Sequence, residues 1–213
     1  MQLFRTIVLA LLVVASLSFI VAAETPNLSL TIAKVDKAPV IDGILDDAAW
    51  VTASQNGSKA VIDMAETGAV VSPFPWVAYM AYDDTALYIA YVTYTQNSDN
   101  LVDNIGIWSN DHVELFIAPA GQTFRHLGWD IAGAQNATAE QMSTIAIRKT
   151  GIQAIYEVAI PFEKLGATPV PGAVWTGNLT GLQVADSGQW MCWNPSYGLF
   201  ANELRFGSFT FGR

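Results

Sequence analysis

Two short segments carry side chains that could do chemistry, and strand alternation decides which of them face the same way. In Asp111-His112-Val113-Glu114-Leu115-Phe116-Ile117 an extended backbone puts Val113, Leu115 and Ile117 on one face and His112, Glu114 and Phe116 on the other. In Arg125-His126-Leu127-Gly128-Trp129-Asp130-Ile131 the same rule turns Leu127, Trp129 and Ile131 inward, and His126, Gly128 and Asp130 outward. If these strands are neighbours, Glu114, His112, His126 and Asp130 converge on one exposed polar face. Ahead of the first strand lies a turn-rich loop, Asn104-Ile105-Gly106-Ile107-Trp108-Ser109-Asn110. A tryptophan on such a loop either shields apolar surface from water or offers its ring to a ligand. Beside carboxylates and amides it suits a sugar, whose pyranose ring shows an apolar C–H face to the indole and hydroxyls to Glu, Asp, Asn or His.

A third segment, Gln189-Trp190-Met191-Cys192-Trp193-Asn194-Pro195, also alternates. Met191 and Trp193 point one way, Trp190 and Cys192 the other, so one tryptophan is core and the other is available. Cys192 has no partner in the chain and no basic neighbour, which makes it a small buried hydrophobe and leaves the fold to rely on its core. Glu114 with Asp130 or Asp111 could imitate the paired carboxylates of a glycosidase, set about 5 to 9.5 Å apart. Carboxylates on a strand face are more often plain surface, and no HExxH or Ser/His/Asp pattern accompanies them. The expectation is a protein without catalytic residues.

The elements that must position these groups read as strands. Apolar and aromatic stretches at 28–33, 77–82, 86–95, 111–117, 126–131, 143–149, 154–160, 174–186 and 208–211 are separated by Gly, Pro, Asn and Asp. Helical signal is confined to a turn or two at 46–50 and a short turn at 162–165. The fold expected is all-β, a two-sheet antiparallel β-sandwich of the jelly-roll or immunoglobulin-like kind, in a single domain over 24–213. Residues 1–23 read as a secretory signal: Arg5, an apolar run, then Val21-Ala22-Ala23. Cleavage after Ala23 would give a secreted or periplasmic protein with no membrane span. The 213-residue chain carries a formal net charge of −9, one unit more negative once Arg5 is lost. Its few Lys and Arg are scattered, with no run longer than Arg148-Lys149, which excludes nucleic acid as a partner.

Five blocks, taken in order, carry a resemblance. Pro39-Val40-Ile41-Asp42-Gly43-Ile44-Leu45-Asp46-Asp47-Ala48-Ala49-Trp50 is followed by Tyr82-Asp83-Asp84-Thr85-Ala86-Leu87-Tyr88-Ile89-Ala90-Tyr91. Then come Asn110-Asp111-His112-Val113-Glu114-Leu115-Phe116-Ile117 and Tyr156-Glu157-Val158-Ala159-Ile160-Pro161-Phe162-Glu163-Lys164-Leu165-Gly166. Trp193-Asn194-Pro195 with Arg205-Phe206-Gly207 closes the series. Together they resemble carbohydrate-binding module family 9, a relative of the DOMON sandwiches. The resemblance implies a β-sandwich that binds a glycan or oligosaccharide without cleaving it, holding a sugar ring between two tryptophans. Carried over by position, those are Trp108 and Trp193. Glu114 matches the acidic hydroxyl acceptor, Asp130 falls where the family often has Asn, and His126 and Asn110 stand close enough in sequence to assist. Gly128 takes the place of the family's arginine and supplies no donor. The resemblance also implies a glycoside hydrolase partner and, in some members, structural calcium, to which Asp42, Asp46, Asp47, Asp83 and Asp84 could contribute oxygens; otherwise no cofactor is expected.

Two further readings stand beside it. In the cytochrome-like DOMON domains haem b takes Met with His or Lys as axial ligands, and His112 or His126 with Met80 or Met191 would be the counterparts here. A ligand-free structural or assembly sandwich is the third reading, motivated by Gly128.

Overall fold

The structure is a computed structural model that describes residues 27–69 and 71–213. The expected signal, residues 1–23, lies outside the described residues. Among the described residues eleven strands form one hydrogen-bonded sheet that folds over on itself into two layers. In chain order they are β1 (Ser29–Lys34), β2 (Lys59–Ala65), β3 (Val71–Tyr82), β4 (Ala86–Tyr94), β5 (His112–Ala118), β6 (Arg125–Asp130), β7 (Thr144–Lys149), β8 (Gln153–Pro161), β9 (Val174–Gln183), β10 (Gln189–Cys192) and β11 (Gly207–Phe211). One path runs β1-β11-β9-β10-β2-β3-β4-β8-β7, and β5 leaves it from β9 with β6 on its far side. Strand β1 also pairs with β3, which closes a ring through β11, β9, β10 and β2. Both pairings of β1 are parallel, so the fold is all-β and mostly, but not wholly, antiparallel.

Among the described residues three short α-helices decorate the sheet: α1 (Ala48–Gln55), α2 (Ala137–Met142) and α3 (Phe162–Leu165). The expected turns at 46–50 and 162–165 correspond to α1 and α3. Strand β2 and helix α2 were not expected. β2 has a register irregularity between Ile62 and Met64 that breaks its alternation. Helix α2 is too short to show a period, though Asn136 caps it by accepting from Ala139 N.

The main core lies between the layers and takes Val113, Leu115, Ile117, Leu127 and Trp129 with Ile89, Tyr91, Tyr156 and Val158. A second cluster lies outside the layer that holds β4: Ala49, Trp50 and Ala53 of α1 cover Ala81, Ala86, Tyr88 and Ala90. Strand β4 is therefore buried on both sides, apolar from Ala86 to Val92 where alternation would leave one side polar. Glu157 of β8 pins this cover, its carboxylate accepting from Asp42 N at 3.0 Å, Gly43 N at 2.6 Å and Trp50 Nε1 at 2.6 Å. Burial pushes its carboxyl up, and those three donors work against the rise. Two of the sequence blocks are thus joined by one buried side chain.

Candidate functional site

Strands β5 and β6 are antiparallel neighbours, with His112 opposite Asp130, Glu114 opposite Gly128 and Phe116 opposite His126. The adjacency expected from sequence holds, and Val113, Leu115, Ile117, Leu127 and Trp129 all face the core. The other face is not exposed as expected. His112, Glu114 and Asp130 are buried, Glu114 to 3% exposure, with Trp108 and Trp190 packed against His112.

Asn110, Asp111 and Asp130 build the loop that carries Trp108. Asp111 accepts from Val102 N at 2.7 Å and Val184 N at 2.7 Å, tying the loop to the end of β9. Burial pushes its carboxyl up against the lowering effect of those N–H groups. Asn110 accepts from Ile105 N at 2.9 Å and Gly106 N at 3.2 Å, and donates Nδ2 to Asp130 at 2.7 Å. The second oxygen of Asp130 accepts from Ala132 N and Ala134 N at 3.0 and 2.8 Å. Asn110 and Asp130 therefore shape the site from behind, and their hydrogen-bonding groups are already engaged.

Glu114 sits between two imidazoles. His112 Nε2 donates to one oxygen at 3.1 Å and His126 Nε2 to the other at 2.5 Å. Burial alone would push the Glu114 carboxyl up, but the two imidazoles outweigh it and hold the carboxyl below its usual value. His112 Nδ1 lies 2.8 Å from the Asn110 carbonyl, which can only accept. His112 therefore faces an acceptor at each ring nitrogen, the Asn110 carbonyl on one side and the Glu114 carboxylate on the other. Tyr91 donates its hydroxyl to the Glu114 carbonyl at 2.8 Å from the core side.

Aromatic rings surround this network. His126 stacks on Phe116 at 4.2 Å and on Trp108 at 5.2 Å, with interplanar angles of 8° and 24°. His112 meets Trp108 edge-on at 5.6 Å and Trp190 edge-on at 5.7 Å. Trp190 contacts Phe200 at 5.7 Å, and Phe200 contacts Phe116 at 6.4 Å, which closes the circuit. Trp108 and Trp190 reach water, at 41% and 38% exposure. Because both touch one imidazole, their centroids are no further apart than the sum of those two contacts.

The structure corrects the placement of Trp193 opposite Trp108. Trp190 pairs with Leu182, which pairs with His112, so Trp190 shares the outer row. Trp193 has the opposite parity: it is 5% exposed, stacks on Phe209 at 5.3 Å and 10°, and belongs to the main core with Met191. Sequence reasoning found that one tryptophan of the pair is core but lacked the register that says which. Phe116 and Phe200 were missed as site residues. Phe116 was visible in the alternation of β5, whereas Phe200 arrives from a loop with no local signal.

Gly128 also acquires a role. A Cβ there would lie 2.8 Å from both Cη2 and Cζ3 of Trp108, so the indole rests directly on the backbone of β6. Met80 and Met191 lie in the main core, on the other side of the sheet from His112 and His126, and offer these histidines no axial partner for a haem. Cys192 is buried, and burial pushes its thiol up to about 12. Among the described residues no group of three or more His, Cys, Asp or Glu is arranged to hold a metal ion. Of the acids considered for calcium, Asp83 accepts from Thr85, Ala86 and Tyr88 to close the β3–β4 turn, and Asp84 pairs with Lys34 at 2.8 Å. No helix among the described residues is long and apolar enough to cross a membrane.

Solved structures share this fold. A family 9 carbohydrate-binding module from Caldicellulosiruptor kristjanssonii in complex with cellotriose is similar over 88% of this chain and 95% of its own, at a TM-score of 0.65 and 19% identity. The fold is that of carbohydrate-binding module family 9. The same organism's family 9 module in complex with glucose covers 87% and 96% of the two chains at 18% identity and a TM-score of 0.65. A candidate carbohydrate-binding protein from Bacteroides uniformis matches over 87% of this chain and 100% of its own, at 16% identity and a TM-score of 0.65. No protein-family model matches the sequence, and no curated protein matches it.

Proposed function

We propose that this is a non-catalytic carbohydrate-binding module that takes a sugar ring against Trp108 and Trp190. The observation that carries the reading is that these two half-exposed indoles stand over one His112–Glu114–His126 network, in a fold shared with modules solved with cellotriose and glucose. A protein surface seldom holds two tryptophans in water unless something covers them. The indoles would take the C–H faces of the ring. The partly exposed His126, with Glu114 beneath it, is the polar group best placed for a hydroxyl. Asn110 and Asp130 contribute by holding Trp108 in place. Asp111 and Asp130 are committed to backbone N–H groups, which leaves Glu114 without a free second carboxylate for glycoside cleavage. Export through the segment at 1–23 and association with a glycoside hydrolase belong to the same proposal.

Calorimetric titration of the purified protein with glucose, cellotriose and a panel of other oligosaccharides tests it. Saturable binding of at least one glycan at millimolar concentration or below is expected. No binding across the panel would leave the aromatic circuit as a packing device and favour the ligand-free reading.

A further inference from the structure

We infer that Gly128 is the positioning residue of the binding platform: by having no side chain it seats the Trp108 indole on the backbone of β6, against His126. This inference rests on the proposed sugar reading for its consequence but not for its geometry. Trp108 belongs to a loop, and loop hydrogen bonds alone fix its backbone and not its ring. What fixes the ring is contact: Cη2 and Cζ3 fall 2.8 Å from where a Gly128 Cβ would be, while the ring plane lies 24° from that of His126 at 5.2 Å. The same position faces Glu114, whose Cγ would be 3.9 Å from that Cβ, an ordinary contact. A methyl group at 128 is therefore accommodated by everything around it except the indole. The atoms it meets are the far end of a half-exposed side chain, so the ring gives way rather than the strand.

The backbone of Gly128 lies in a regular strand paired with Glu114 and has no left-handed conformation to protect. Its N–H is held by Asn136 Oδ1 at 3.3 Å and its carbonyl by Asn136 N at 3.1 Å, contacts that alanine keeps. Entropy would favour alanine here, since glycine in a strand interior weakens it. Glycine at this point instead sets how far the indole lies down, and hence which of its faces a ligand can reach. One face of Trp108 is already stacked on His126; only the other remains for a sugar.

The test is Gly128→Ala, read by fluorine NMR of protein labelled with 5-fluorotryptophan and by calorimetry with the best glycan. The Trp108 line, assigned with Trp108→Phe, is expected to move, while the lines of the core residues Trp129 and Trp175 stay. Affinity should fall about three- to tenfold, the scale of one lost aromatic stacking contact. On a Trp108→Ala background, Gly128→Ala should cost nothing further, because it acts through that ring. An unmoved Trp108 line, or a moved line with wild-type affinity, overturns the inference. So does an equal loss of affinity on both backgrounds. If the wild-type protein binds no glycan, the sugar reading fails instead, and the fluorine shift alone decides whether Gly128 seats Trp108.

Discussion

Glu114 shows how far burial can be outweighed at a single residue. Its carboxylate is nearly inaccessible, yet two imidazoles hold it below its usual value, and one of them faces an acceptor at each nitrogen. The sign of the pH dependence follows. A carboxyl whose folded value lies below its unfolded one adds stability above about pH 4.5, and that contribution is lost as pH falls through the folded value. Asp111 and Glu157 are shifted the other way, so they lose stability as pH rises through their folded values. The difference between wild type and Glu114→Gln isolates the first effect. Denaturant midpoints should show the wild type more stable at pH 6, with the gap narrowing as pH falls below about 4.5; a gap that stays constant on acidification would contradict the ionised carboxylate. Glu114, His112 and His126 were legible as a converging set from alternation alone. Their burial was not, because part of the cover, Trp190 and Phe200, comes from distant parts of the chain.

Elements position these residues through a few buried acids. Glu157 joins the Asp42-Gly43 turn and helix α1 to β8, just as Asp111 joins the Trp108 loop to the end of β9. Replacing Glu157 with alanine strands two backbone N–H groups and an indole N–H, and should cost about 2 to 4 kcal/mol in chemical denaturation. Binding should change little, since α1 covers the opposite layer. Apolar stretches between turn residues placed nine strands, eight of them within a few residues of their observed bounds, while β3 begins at Val71, six residues before the expected start; alternation assigned the faces of β5 and β6, because a face packed on a core imposes period two. It failed at β2, where the register shifts, and at β10, where it showed two faces but not which was inside. Whether Trp190 or Trp193 joins the site depends on the pairing of β10 with β9 and of β9 with β5, a relation between segments far apart in sequence.

At the scale of the whole molecule, both outer faces of the folded sheet are covered, one by α1 and one by the aromatic circuit. Only the second cover leaves large rings in water, which is why function is assigned there. The chain carries a net charge of −9, but the acids at the site are spent internally, on histidines and backbone N–H groups. The platform is thus mainly aromatic, and its central claim concerns which tryptophans form it. The direct measurement is glycan affinity for Trp108→Ala, Trp190→Ala and Trp193→Phe, each shown to be folded by its near-ultraviolet circular dichroism. The first two are expected to lose binding at least tenfold, about 1.4 kcal/mol or more. Trp193→Phe should keep wild-type affinity with a lower unfolding midpoint, as a core truncation does. Lost binding in Trp193→Phe together with unchanged binding in Trp190→Ala would contradict the account.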